Sequence, residues 1–232
     1  PMVGVDASKA MLQKAREKGI YDALVHQDMP ERCSFQRSDD SGETFTLYDD
    51  GYFTPSDQGE ADDHGGRLGV TPADPNRVYV GLLGKGKESD KGWIGLYRSN
   101  DKGGNWTNPN GQDGAPHDLE NHPCLATANI DGSGVYQGFY NYGLAVSHND
   151  ADVVWVGVQS LSSTDDGGVT WKRIGGYGAS TYDLGWVHVD IQDIHVQGND
   201  IWFATDGGLN HSNDELTSHT SRKRGIYNST LW

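Results

Sequence analysis

The chain is predicted to be mainly β: a partial propeller of about four four-stranded blades, preceded by a short α/β segment. Three observations lead there. The 232 residues include 32 Gly and 7 Trp and are 34% hydrophobic, a turn-dense composition unlike that of a helical bundle. An acidic turn motif recurs along the chain. Paired alternating apolar runs, each pair joined by a short polar turn, recur in step with it.

Charge narrows the partners. With 18 Lys+Arg against 33 Asp+Glu the formal net charge is −15, which argues against duplex nucleic acid and anionic membranes. No run of ~18 apolar residues occurs, so no membrane span is expected. Composition is uneven. Residues 1–32 hold two Gly and no Trp, whereas all seven Trp follow Cys33. The boundary is expected near Glu31–Ser34, dividing residues 1–32 from 33–232.

The first piece reads strand, helix, strand. Val3-Gly4-Val5 is an apolar run closed by Asp6. Ser8 can cap a helix whose stripe of Ala10, Met11, Leu12 and Ala15 stops at Gly19. Ala23-Leu24-Val25 is a second run, followed by Asp28. This stretch resembles the second strand, next helix and third strand of class I S-adenosylmethionine methyltransferases. The resemblance implies that Asp6 would hold ribose hydroxyls and that Asp28 would lie near adenine. The Gly-rich turn for the methionine end has no counterpart here, and a lone βαβ piece cannot cover both faces of a parallel sheet. The expectation is a remnant, with no cofactor.

The second piece carries the motif Ser/Thr-x-Asp-x-Gly-x-Thr-aromatic. Its copies are Ser38, Asp40, Gly42, Thr44, Phe45; then Ser99, Asp101, Gly103, Asn105, Trp106; then Thr164, Asp166, Gly168, Thr170, Trp171. A degenerate copy begins at Ser212 and Asp214 and lacks the Gly and the aromatic. The four Asp are 61, 65 and 48 residues apart. Hydroxyl and carboxylate side chains bond backbone amides in tight turns, Gly supplies positive φ, and the aromatic anchors the hairpin. A structural staple is therefore expected rather than a catalytic group. Before the staples, the stretches 67–81, 143–157 and 193–205 each read as strand, polar turn, strand. One unit is then four antiparallel strands, the content of a propeller blade.

These residues resemble the Asp-box (BNR-repeat) propellers, which include sialidases, xyloglucanase-type glycoside hydrolases and sortilin-type receptors. The resemblance implies a ligand face at the start of each blade's inner strand, with the stapled turns on the opposite face. Candidates for that face are Asp63 and His64, Tyr140-Asn141-Tyr142, Trp186, and His188 to Asp190 with Asp193. Strand alternation would aim His188, Asp190 and Gln192 into one space.

Several roles stay open for this cluster. Glycoside hydrolysis needs two carboxylates in unlike environments, and Asp190 with Asp63 or Asp206 could supply them. Tyr140, Tyr142, Trp186, His64, His188 and Asp193 could instead bind a sugar or a peptide without turnover. A purely architectural role for His188 and Asp190 is the third reading. No HExxH or CxxC spacing occurs, and no metal is expected. The Phe/Tyr-Arg-Ile-Pro segment of true sialidases is also missing. Asp206-Gly207-Gly208 reads first as a turn.

Cys33 and Cys124 are the two cysteines, and spacing leaves their pairing open. Asn105, Asn210 and Asn228 head glycosylation-type sequons. The propeller resemblance and the acidity favour an extracellular setting, whereas the methyltransferase-like piece would favour cytoplasm; the larger segment is given the weight. Unsealed sheet edges could drive association.

Overall fold

The computed structural model describes residues 3–6, 23–26, 35–48, 63–84, 93–109, 140–176, 184 and 186–222. Strands β1 (Val3–Asp6) and β2 (Ala23–His26) pair in parallel, Val3 opposite Ala23. The helix expected from Ser8, Asp28 and the boundary at 31–34 lie outside the described residues.

Among the described residues all other pairing is antiparallel. Strands β3 (Gln36–Arg37) and β4 (Thr46–Leu47) form a hairpin around the first acidic turn. Strands β5 (Asp63–Thr71), β6 (Asp74–Gly84) and β7 (Trp93–Ser99) form a meander. A bridge from Arg98 to Thr107, with N–H···O distances of 2.7 and 2.9 Å, takes the place of its fourth strand. Two complete meanders follow. One is β8 (Gly143–Val146), β9 (Val154–Gly157), β10 (Leu161–Thr164) and β11 (Lys172–Gly175). The other is β12 (Ile191–Gln197), β13 (Asp200–Thr205), β14 (Gly208–Ser212) and β15 (Thr220–Ser221). The first strands adjoin: β5 packs beside β8, and β8 beside β12. Sheets that meet along their first strands and stack face to face are blades, so the fold is a partial propeller.

Period-2 alternation sends successive side chains to opposite blade interfaces. Val154 and Val156 join Tyr79, Leu96, Leu144 and Trp171 in one core. Trp155 and Ala145, on the other face, join Leu161, Ile191, Ile201 and Phe203 in the next. The interfaces are tight where inner strands cross. A Cβ on Gly157 would lie 2.3 Å from Ile191 Cγ2.

The four acidic turns share one geometry. In each, the first hydroxyl donates to the Asp carboxylate: Ser38, Ser99 and Thr164 at 2.7 Å, Ser212 at 2.8 Å. The same oxygen accepts the N–H of the fifth residue: Gly42 at 2.6, Gly103 at 2.8, Gly168 at 3.0 and Leu216 at 3.2 Å. The carboxylate accepts both backbone and side-chain donors from the seventh residue, which are Thr44, Asn105, Thr170 and Ser218. The fourth and fifth residues are left-handed in every turn, through to Glu215 at φ 56° and Leu216 at φ 60°. The fourth copy, degenerate in sequence, is thus intact in geometry. Leu216 stands at the Gly position, and His219 at the aromatic position packs its ring 5.9 Å from Phe203. Trp106 and Trp171 are buried anchors, with Trp106 edge-on to Phe35 at 4.7 Å, whereas Phe45 is half-buried.

These donors stabilise the ionised carboxylate. Bonds from Thr44 and Ser38 hold Asp40 down at about 2, and bonds from Asn105 and Ser99 do the same for Asp101. Bonds from Ser218 lower Asp214 further still. Asp166 is also lowered: its burial pushes upward, but bonds from Thr170, Thr164 and Val169 outweigh it. The stapled turns sit at the end of the sheets where first strands turn into second strands. Lys102 N–H donates to Asn76 O at 2.8 Å and Gly167 N–H to Asp152 O at 2.9 Å, Asn76 lying near the start of β6 and Asp152 in the β8–β9 turn.

Candidate functional site

The opposite end of the sheets is where the inner strands begin. There the extended stretch before β12 docks on the β9–β10 loop: Asp190 N–H donates to Gln159 O at 3.1 Å and Ile191 N–H to Val158 O at 2.7 Å. Asp190 is left-handed at φ 64°, a conformation that Asp tolerates better than most residues and that costs about 1–2 kcal/mol.

Two amides link two carboxylates. Asn141, fully buried before β8, donates Nδ2 to Asp190 Oδ1 at 2.7 Å. Its own Oδ1 accepts from Gln192 Nε2 at 2.7 Å. Gln192 Nε2 donates its other hydrogen to Asp206 Oδ1 at 2.8 Å, in the turn between β13 and β14. Backbone continues the link, with Asp206 N–H donating to Asp190 O at 3.3 Å. Burial raises Asp190 above the ordinary carboxylate value, and the nearby Asp206 charge adds to the shift. His188 and the Asn141 bond oppose it. The charged form is thus penalised, and Asp190 is the group of the pair placed to carry a proton.

The surroundings are aromatic. His188 Nδ1 donates to Val189 O at 2.9 Å, leaving Nε2 as the other ring nitrogen. Its ring lies over Gly207, where a Cβ would come 2.4 Å from His188 Cβ. Trp186 stands edge-on to His188 at 5.9 Å and is 57% exposed. His219 Nε2 donates to Trp186 O at 3.1 Å, tying that stretch to the fourth stapled turn. Tyr140 is 58% exposed.

Of the residues singled out from sequence, the structure brings Asp190, Asp206 and His188 together, with Trp186 beside them. Asp193 is exposed at the bulge in β12 and enters none of these bonds. Tyr142 is 2% exposed and packs in the core with Tyr79 and Leu144, so its ring offers no face to a ligand. Asp63 and His64 begin β5, but their side chains lie outside the described residues. Asn141 and Gln192, which the sequence places on the ligand face without giving them a role, are the connectors. Their signal was slight: a polar residue between two tyrosines, and a third alternate position after His188 and Asp190. Among the described residues no group of three or more His, Cys, Asp or Glu side chains is disposed to hold a metal. No helix among them is long and apolar enough to cross a membrane. Cys33, Cys124 and Asn228 lie outside the described residues. Asn105 commits its amide to Asp101 and Asn210 is 3% exposed, so neither presents a free acceptor for glycan.

No family model matches the chain, and no curated protein matches it. Solved structures do. The GH74 xyloglucanase from Xanthomonas campestris overlays 90% of this chain at 18% identity with a TM-score of 0.52. The GH74 enzyme of Niastella koreensis overlays 81% at 18% identity and a TM-score of 0.45. YCF48 from Cyanidioschyzon merolae overlays 69% at 14% identity and a TM-score of 0.33. The chain spans 30% of the Xanthomonas enzyme and 26% of the Niastella enzyme. At these identities the likeness is one of fold. The class of protein defined by fold and similarity together is a β-propeller, of which this chain forms adjacent blades.

Proposed function

We propose that the chain is part of a secreted Asp-box (BNR-repeat) propeller that acts on carbohydrate at the inner-strand end. One observation carries the reading: Asp190 and Asp206 are linked through Asn141 and Gln192, with Asp190 raised by burial and by its neighbour. A protonated and an ionised carboxyl held near each other are what glycosidic cleavage requires. Asp190 is assigned the acid and Asp206 the second carboxyl, with exposed Trp186 and Tyr140 as stacking surfaces for sugar rings. The Xanthomonas xyloglucanase among the neighbours makes xyloglucan the first substrate to try. The stapled turns, with their shared hydroxyl, carboxylate and left-handed pair, support the Asp-box assignment.

The test is release of reducing ends from a β-glucan panel that includes xyloglucan, with binding measured in parallel. Asp190→Asn and Asp206→Asn should each lower turnover by about 10² or more and leave binding in place. Trp186→Ala should weaken binding. Turnover unchanged in both Asn variants would remove the site assignment. Binding of extended peptides, and of no glycan, would replace it with peptide capture of the sortilin type. The parallel β1–β2 pair with Asp6 closing β1 supports reading residues 1–32 as a methyltransferase-like remnant. Calorimetry with S-adenosylmethionine should give no heat.

A further inference from the structure

We propose that His148 is an acid-released latch between the β8–β11 and β12–β15 sheets, at the end away from Asp190. His148 lies in the β8–β9 turn. Its Nδ1 accepts the N–H of Gly198 at 2.9 Å, in the tight β12–β13 turn where Gly198 has φ 60°. An amide N–H can only donate, so Nδ1 carries a lone pair and the ring hydrogen is on Nε2. The same turns are joined by Glu215, in the fourth stapled turn. Its Oε1 accepts from Ser147 Oγ at 3.0 Å and Asn149 Nδ2 at 2.7 Å, and Asn149 Nδ2 reaches Asn199 Oδ1 at 2.9 Å. Glu215 Oε2 is buried and has no hydrogen-bond partner.

Among the described residues the charged neighbours are few. His195 faces His148 from β12 and Glu215 from the turn after β14. On its own turn, Asp150 accepts the N–H of Asp152, and Asp152 is paired with Arg77. Burial disfavours the imidazolium most, His195 adds to that, and Glu215 opposes both; the net shift is downward. The ring is therefore neutral at pH 7. A second proton must go to Nδ1, where it meets the Gly198 N–H donor to donor. The bond is lost, and the imidazolium is drawn to the unpartnered Glu215 oxygen. A group lowered on folding stabilises fully above its unfolded value and loses that contribution as pH falls through the folded value. The β12–β13 turn is thus held at neutral pH and freed in acid.

Nitrogen-detected NMR on the full chain tests this. Between pH 7.5 and 4.5, His148 Nδ1 should begin as an unprotonated acceptor. Amide protection at Gly198 should fall about tenfold with the same midpoint as the ring. His148→Gln, whose Oε1 can accept the same N–H without titrating, should keep Gly198 protected throughout. Glu215→Gln should move the wild-type midpoint lower. Protection at Gly198 that is unaltered while His148 titrates would overturn the latch, and so would a fall that persists in His148→Gln. Should His148→Gln fail to fold, co-titration in the unmutated chain decides alone. Neither readout depends on carbohydrate turnover.

Discussion

Leu216 lets backbone strain be separated from burial in a single position. It occupies the site held by Gly42, Gly103 and Gly168 in the other stapled turns, at φ 60°, with its N–H bonded to Ser212 Oγ. It is also 3% exposed and packs with Phe203, Ile201 and Leu161. Two terms of opposite sign meet there. Removing the side chain costs about 3 kcal/mol, within the 2–5 kcal/mol range of buried Leu→Ala. A Cβ in the left-handed region costs about 1–2 kcal/mol, part of which Gly returns as greater unfolded-state freedom. Leu216→Ala keeps the strain and loses the burial. Leu216→Gly loses both. The expected order of stability is Leu, then Gly about 2 kcal/mol below Leu, then Ala about 3 kcal/mol below Leu. That inverts the usual Ala-over-Gly ranking. Urea unfolding followed by Trp fluorescence, with a common m-value, measures it. If Leu216→Gly proves less stable than Leu216→Ala, the left-handed geometry of the fourth turn is refuted, whatever the absolute losses.

Two further outcomes can be stated. Gly157→Ala puts a methyl 2.3 Å from Ile191 Cγ2 and 2.5 Å from its Cβ and should destabilise by about 1–3 kcal/mol; an unchanged midpoint in urea unfolding would count against the close approach. The stapled carboxylates are lowered on folding, so their contribution is complete above the ordinary Asp value near 3.9 and disappears as pH falls toward about 2. Asp101→Asn should make the pH dependence of stability shallower between about pH 4 and 2, and a variant curve parallel to the parent would contradict the bond set at that turn.

The architecture was readable because its signals are local and repeated. Alternation such as Val154-Trp155-Val156 assigns side chains to two interfaces without knowledge of either partner, and the hydroxyl–Asp–Gly spacing closes a turn within eight residues. The fourth turn was only half legible. Ser212 and Asp214 are present, but the backbone there tolerates Leu216 and His219 where the pattern asks for Gly and an aromatic, and no local signal announces that tolerance. Site residues were harder. Asp190 and Asp206 meet only because β12 and β13 pair and the β13–β14 turn folds back. Tyr140 and Tyr142 have equal claims in sequence, yet one is 58% exposed and the other 2%. Which of two alternate residues faces solvent depends on the neighbouring blade: Tyr142 lies under Gly81 and Arg67, contacts that no short window contains.

The two ends of the blades treat one residue type in opposite ways, and this bears on where chemistry can occur. At the stapled end each Asp receives bonds from a hydroxyl, backbone amides and a seventh-residue side chain, so ionisation is favoured and the carboxylate is fixed. A group held that firmly in one protonation state is poorly suited to exchange protons near neutrality. At the other end Asp190 receives one amide bond, from Asn141, against burial and a second carboxylate. Its contribution to stability runs the other way, present at low pH and lost as pH rises through its raised value. Replacing Asp190 with Asn should therefore stabilise the chain at neutral pH relative to acid, whereas Asp101→Asn should do the reverse. A common response to both substitutions would mean that the two ends are not electrostatically distinct, and the assignment of proton-transfer chemistry to the inner-strand end would fall with that distinction.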